Sequence, residues 1–296
     1  MFEELQKVKY YHFQIEMTAT GECNLNKWLG SAIRGAFGAE LINNFCIDKQ
    51  MKCEKCSDVF SDCSAIALLK SSSPSDSKMG INPYIIYCQE DCYKDGIITF
   101  ELTLFAEGVY IVSDVLKVLA KGLRIGRQRT LFKLTRITDM RTSGTIFDGI
   151  LWAAPPLHCF AFGIKPTNNL KVGFSSPFIS KQNKVDFDYL IRAILRRASA
   201  ILKQSEIEFD WDFKKIVQGT ESIQLVNQRM RTVNISRCSN RTNSHMNISG
   251  IIGSAVFAGN ITEYVRLIEF AEVFHVGKLC VMGFGKLEST AHNSNL

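Results

Sequence analysis

Twice along this chain, strand-like and helix-like patterns follow one another in the same order. Lys7 to Thr18 (KVKYYHFQIEMT) is rich in aromatic and β-favouring residues and reads as a strand. Asn24 stands where an N-cap belongs, ahead of a helix carrying Trp28, Ile33, Phe37 and Leu41 at intervals of four or five. Tyr84 to Tyr87 and Ile97 to Phe105 read as strands, and Val109 to Leu123 as a helix closing near Gly122. Thr130 to Thr138 alternates apolar and polar like a half-buried strand. After Pro155-Pro156 and the turn at Pro166-Thr-Asn-Asn169 the order returns: strand Leu170 to Ile179, helix Phe187 to Leu202, strand Met246 to Ala258, helix Ile261 to Phe274, and a closing strand Leu279 to Phe284. The pattern predicts an α+β chain of two tandem ferredoxin-like (RRM-like, β-α-β-β-α-β) domains, 1–165 and 166–296, with a cysteine-rich insertion at 46–63 in the first.

The chemistry concentrates in a few places. Near the carboxyl end, His275-Val-Gly-Lys278-Leu-Cys-Val-Met-Gly283-Phe-Gly285-Lys286 sets two glycine sites beside lysines. Glycine lets backbone approach a ligand closely, and lysine supplies a mobile positive charge. The spacing from Gly277 to Gly283 is wrong for a Walker loop, and Leu287 follows Lys286 where Ser or Thr would be needed. A longer phosphate chain such as RNA remains. Gly122-Leu-Arg-Ile-Gly126-Arg-Gln-Arg129 holds the corresponding place in the first half. The net charge of +6 is modest, so its distribution decides more than its size. Seven basic residues and one acid lie between Lys121 and Arg141, and four arginines and no acid between Ser222 and Thr262. Arginine interleaved with Gly, Ser and Asn suits phosphate contact; a solvated basic face is the plainer reading of either window.

Cys46, Cys53, Cys56 and Cys63 form a second signal, C-x6-C-x2-C-x6-C. Four thiolates around a central C-x-x-C match tetrahedral zinc with no open position, hence a structural role. Four reduced cysteines in a surface loop are the alternative. Cys88 and Cys92 form a looser C-x3-C pair that could supply one or two ligands, while Cys159 and Cys280 read as core residues. MFEELQKVKYY lacks an apolar leader, no run approaches the ~18 apolar residues of a membrane span, and ten cysteines accompany them. These features point to a reducing cytoplasm without membrane association.

Taken in order, Gly30-Ser-Ala-Ile-Arg34-Gly-Ala-Phe-Gly38, the cysteine set, Leu104-Phe105, Ser176-Pro177-Phe178, Arg196-Arg197, Arg237-Cys-Ser-Asn-Arg241, Gly250-Ile-Ile-Gly253 and the closing glycine loop resemble the CRISPR-associated repeat-RNA-processing endoribonucleases, the Cas-six family of the RAMP superfamily. The resemblance spans nearly the whole chain. It implies tandem ferredoxin-like domains, an RNA-binding glycine-rich loop, and metal-independent cleavage of the CRISPR repeat in a prokaryotic cytoplasm. It also implies crRNA and other CRISPR effector subunits as partners. A non-catalytic RAMP subunit that binds crRNA and scaffolds an effector complex is the alternative.

Such cleavage aligns a ribose 2′-hydroxyl on the adjacent phosphorus and leaves a 2′,3′-cyclic phosphate and a 5′-hydroxyl. It needs a base, an acid and cations, and no cofactor. Many relatives carry a histidine on or just after the first helix. This chain has Phe37-Gly38-Ala39-Glu40 there and no histidine between His12 and His158. The catalytic candidates are therefore His275, just before the glycine loop; His12, in the first strand; and Arg34, a cation between two glycines of the first helix. His245, Lys27 and Tyr11 are weaker, His158 reads as structural, and His292 lies in the tail. The expected RNA contacts are Arg127, Arg129, Arg196, Arg237, Arg241, Lys278 and Lys286, with Gly283 and Gly285 letting backbone lie against the ligand. Phe284 reads as a loop anchor rather than a base-stacking ring.

Overall fold

The computed structural model describes the chain except residues 47, 49–62, 70–80, 164–166, 180–184, 240–243 and 292–296; within strands, the side chains of 237–239 and 244–246 are also outside the description. The chain divides into two units, one of Val8–Cys159 and one of Met1–Lys7 with Phe160–Leu296.

The first unit contains β1 (Lys9–Ala19), α1 (Gly30–Phe45), α2 (Ser64–Leu69), β2 (Tyr84–Tyr87), β3 (Tyr93–Lys94), β4 (Ile97–Phe105), α3 (Val112–Lys121), β5 (Leu123–Ile125), β6 (Thr130–Asp139), β7 (Thr145–Phe147) and β8 (His158–Cys159). The sheet runs β2-β4-β1-β6-β5, with β3, β7 and β8 as short additions. Its four principal strands take the order second-third-first-fourth, all antiparallel, which is the ferredoxin-like arrangement. Alternation on β1 decides the faces. Phe13, Ile15 and Met17 are fully buried, while His12, Gln14 and Glu16 between them are half-buried. Tyr11, Leu104 and Tyr84 lie opposite one another across three strands, and Phe37 of α1 packs on Tyr84 at 5.8 Å. That is the face the first helix covers. His12, Thr103 and Ile85 occupy the other.

Three local expectations change. The first helix begins at Gly30 rather than after Asn24, with Leu29 at its N-cap and no side-chain cap. The amides of Leu29 and Gly30 act on the Cys88 thiol, drawing its pKa down against the effect of burial. The third helix is a 3-10 turn from Ala106 to Ile111 before the regular Val112–Lys121. The six-residue α2 was not expected; it is too short to show a period. Most of the cysteine-rich insertion lies outside the described residues.

The second unit contains β9 (Asn169–Phe178), α4 (Phe187–Gln204), α5 (Phe213–Gln218), β10 (Gln224–Ser239), β11 (Ser244–Ala258), α6 (Val265–Phe274) and β12 (Leu287–Ala291). The order β10-β11-β9-β12 is again second-third-first-fourth and wholly antiparallel. α4 buries Leu190, Ile191, Ile194, Leu195, Ala198 and Ile201, a stripe at helical spacing. The opening residues complete this core. Phe2 is 2% exposed, meets Trp211 edge-on at 5.0 Å, and the Trp211 indole donates to Glu4 at 3.2 Å. The Leu279–Phe284 stretch is not the closing strand. It holds a 3-10 turn, Cys280–Met282, between Leu279 at φ 60° and Gly283 at φ 83°, and the strand is β12. A short buried apolar run does not declare its backbone conformation. No helix among the described residues is long and apolar enough to cross a membrane.

At the end of the first unit's sheet, His158 Nε2 lies 2.8 Å from Asp139 Oδ2, and Oδ1 accepts from the amides of Arg141 (3.1 Å) and Thr142 (2.8 Å) and from the Thr142 hydroxyl (2.8 Å). His158 is thus structural. Burial pushes the Asp139 carboxyl up, but these hydrogen bonds outweigh it and hold the group below the usual carboxylate value. A depressed folded-state pKa adds stability that is present above the unfolded value of ~3.9 and is lost as pH falls through the folded one. Asp139→Asn should therefore lower the denaturant midpoint at pH 7 and flatten its decline below about pH 4; parallel curves for both proteins would count against this.

Candidate nucleic-acid interface

The glycine loop folds back on its own beginning. α6 stops at Phe274, and His275 takes φ 57°. Val276 N–H donates to Gly285 O at 3.0 Å, and Gly285 N–H to Pro177 O at 3.0 Å. Ser176 clamps both sides, its hydroxyl donating to Gly283 O (2.7 Å) and accepting from Lys286 N–H (2.8 Å). A Cβ on Gly285 would stand 1.8 Å from Val276 O, and the residue sits at φ 69°. The glycines are thus required by packing of the loop on itself and on β9. Gly283 and Gly285 are buried, which corrects the expectation that their backbone lies against RNA. Phe284, 6% exposed, anchors the loop.

His275 is also corrected. It is 1% exposed, and its Nδ1 donates to Phe284 O at 3.0 Å, which fixes a proton on that nitrogen. A general base must come within ~2.6–3.2 Å of the proton it takes, and this buried ring faces no open surface. Its position makes it a strut between the helix end and the loop. Arg197 does similar work: its Nε donates to Phe274 O at 3.2 Å, a cation at the negative end of α6. Burial lowers the Arg197 pKa and raises that of Cys280 beside it.

His12 and Arg34 belong to opposite faces of the first unit's sheet. His12 Nε2 lies 2.8 Å from Glu101 Oε2, with 14% and 20% of the two side chains exposed. Arg34 rides on α1 beside Tyr84, on the helical side. Burial pushes the Tyr84 hydroxyl up, and the guanidinium draws it partly back. The Nε of Arg34 is buried without a hydrogen-bond partner among the described residues. With a sheet between them, His12 and Arg34 cannot serve one phosphate. Tyr11 packs on Phe13 at 5.6 Å in the core, and Lys27 lies 3.8 Å from both Glu90 and Asp91.

The basic residues divide by unit. Arg127 and Arg129 are exposed on the β5–β6 turn, Arg129 at φ 52°. Arg196 is exposed on α4 and Lys278 on the outer rim of the glycine loop. Lys286 is half-buried, its charge acting on Glu272. Arg237 lies on β10, and Arg241 falls outside the described residues, as do the side chains of Arg237 and His245. Reading by motif missed Arg229 and Arg231, both exposed on β10. Their signal was the acid-free window itself. β10 and β11 pair along Gln224–Ser239 and Ser244–Ala258, whereas β9 pairs only with Ile251–Ala258. The remainder of the hairpin is a two-stranded ribbon.

Two ferredoxin-like units in tandem, the second with a glycine loop strapped to its first strand, define the class of protein. The family model described as AF_1859_N, N-terminal domain, matches residues 6–155, and that of CRISPR-associated endoribonuclease Cas6 matches 168–287. The fold is similar to that of a Cas6 product complex (TM-score 0.61, 13% identity, 95% of this chain and 100% of that one). It is similar to Thermus thermophilus Cas6 (0.56, 14%, 96% and 99%) and to a Cas6 substrate-mimic complex (0.55, 16%, 95% and 99%). No curated protein matches the chain in sequence. Residues 168–287 thus carry the CRISPR-associated endoribonuclease Cas6 domain, on a fold shared with Cas6 structures along nearly the whole chain.

The loop's packing makes a prediction. Gly285→Ala puts a side chain into the Val276 carbonyl at positive φ and should cost about 3 kcal/mol of stability. Thermal unfolding within a degree of the parent would refute that account.

Proposed function

We propose that this protein binds CRISPR repeat RNA, cleaves it without a metal by attack of a ribose 2′-hydroxyl on the adjacent phosphorus, and retains the mature crRNA, working in the prokaryotic cytoplasm with other CRISPR proteins. The observation that carries the reading is β10, the edge strand of the second unit's sheet. It presents Arg229 and Arg231 to solvent from a stretch with no acidic residue between Ser222 and Thr262, inside the region matched to Cas6. Arg127, Arg129, Arg196 and Lys278 add exposed cations, each on its own unit. For the chemical step, Arg34 is the proposed aligning cation. Its guanidinium offers a rigid, permanently charged fork to phosphate oxygens, and stabilising developing charge is the main task once the hydroxyl is in line. Two observations favour the alternative of a non-catalytic crRNA scaffold: His275 is buried, and the first helix has no histidine.

The deciding experiment uses repeat RNA in excess EDTA beside the same RNA carrying a 2′-deoxy sugar at the scissile nucleotide. Cleavage of the first alone is the expected result. Binding with no cut in either would select the scaffold, and no binding would end both readings. Arg34→Ala should slow cleavage on the order of 10²-fold, with affinity changed far less. Alanine at Arg229 and Arg231 should weaken RNA binding and reduce the slope of log K against log salt by about 0.7 for each single-strand phosphate left without its arginine.

We also propose a structural zinc held by Cys46, Cys53, Cys56 and Cys63. Cys46 is the C-cap residue of α1, and the Cys63 thiol donates to Phe45 O at 3.7 Å, so the outer pair flanks one helix end. Cys53 and Cys56 lie outside the described residues. Thiolates at this spacing would hold the metal in a closed tetrahedral shell and order the segment around it. Elemental analysis should find about one zinc per chain, reduced in Cys63→Ser; metal-free wild type would refute the assignment.

A further inference from the structure

We propose that the hairpin tip at residues 150–152 docks in the cavity between α4, α5 and β10 of a second copy of this chain. After β7 the chain turns back, and Trp152 pairs with Phe147. The turn holds an apolar knob in solvent: Ile150 is 85% exposed, Leu151 71% and Trp152 46%. A cluster of this kind marks a surface that something covers. It is also rigid. Asp148 Oδ1 accepts from the amides of Ile150 (3.0 Å) and Leu151 (2.8 Å), Ala153 N–H donates to Ile146 O at 2.8 Å, and the Trp152 ring stacks on Phe147 at 4.4 Å. Side chains set in advance lose less entropy on binding. A Cβ on Gly149 would stand 3.6 Å from Thr135 O, so the turn lies beside the exposed Arg136 of β6. The turn's own carboxylate, Asp148, is engaged by its amides, and the cation beside the knob is Arg136.

The second unit carries a matching cavity of about 470 Å³, where the starts of α4 and β10 meet the end of α5. Phe187, Val217, Ile223 and Leu225 line it with apolar surface. Of its charged groups, Arg192 is neutralised by Asp188, whose two oxygens take its Nε–H at 3.0 and 2.9 Å. Asp186 and Glu221 then set the sign of the lining. Next to Leu225 the register of β10 on β11 passes from Leu225–Phe257 to Asn227–Val256, and the extra residue, Val226, is exposed and widens the apolar surface. A cavity of this size encloses a drug-sized group, and so takes the side chains of one turn. Its carboxylates repel a phosphate chain and suit an apolar knob with an arginine beside it. Shape, apolar character and charge are thus complementary between two surfaces of the same molecule. RNA fits the tip less well: Phe147 covers one face of Trp152, and the aliphatic Ile150 and Leu151 offer a base no hydrogen bond. The contact joins unlike surfaces, so it closes into a dimer where each copy inserts its tip into the other and otherwise builds rings or chains.

The test measures the solution mass of the full chain by sedimentation over a concentration series. The parent should rise above the monomer mass as concentration increases. Leu151→Asp, which brings a carboxylate to an acidic lining, should weaken association on the order of 30-fold. Leu225→Asp, in the cavity, should do the same. Mixing the two variants should restore a one-to-one complex, because one intact tip then meets one intact cavity. If Leu225→Asp fails to fold, Glu221→Arg at an exposed position takes its place, and combining it with Arg136→Glu should recover association. The proposal is overturned by a parent that stays monomeric, by variants that do not complement each other on mixing (tip against tip), or by a Leu151→Asp protein that loses affinity for repeat RNA with its mass unchanged, which would give the tip to nucleic acid.

Discussion

The return of residues 275–286 onto Val276 decides the carboxyl end of the protein. Where Val276 N–H meets Gly285 O, the chain must leave the loop, and Leu287 then falls opposite Phe174 to begin β12. A buried loop exposes backbone polar groups that need partners. His275 meets the Phe284 carbonyl, Arg197 the Phe274 carbonyl, and Ser176 both Gly283 O and Lys286 N–H. Histidine, arginine, serine and glycine are the residues one would search for chemistry, and here each satisfies backbone. What the loop presents outward is Lys278.

That arrangement explains how far the sequence could be read. Strands with one buried face, β1, β4, β6, β9 and β11, alternate visibly, and α4 and α6 carry apolar stripes, so the two-domain pattern was legible. β10 was harder because Gln224–Asn234 is largely exposed and no core face imprints a period. α1 starts at Gly30 with no side-chain cap, so no capping residue in the sequence marks its beginning. The closing strand was misplaced because three positive-φ glycines turn an apolar run into a buried loop.

For the site, residue types were legible and burial was not. A histidine beside two glycines and lysines reads the same whether its ring faces solvent or a carbonyl. Likewise His12 and Arg34 are near in sequence, and only the register of β1 with β4 and β2 puts a sheet between them. Arg229 and Arg231 needed no motif, because a window without acids is itself an electrostatic statement: no carboxylate there competes for the cations or repels a phosphate.

These placements constrain any mechanism of cleavage. A histidine pair would move a proton from the 2′-hydroxyl and deliver one to the leaving oxygen, and its rate would follow two titrations near neutrality. The described histidines do not supply that pair: His275 and His158 are bound to structural partners, and His12 is held by Glu101 on the face away from Arg34. A site built on Arg34 has no group of its own that titrates near pH 7. Its acceleration would come from alignment and charge, leaving proton removal to water, and the rate would climb with hydroxide rather than pass through a maximum. A slow reaction of this kind is compatible with exposed cations that lie on β10 and the turns, away from Arg34 on α1.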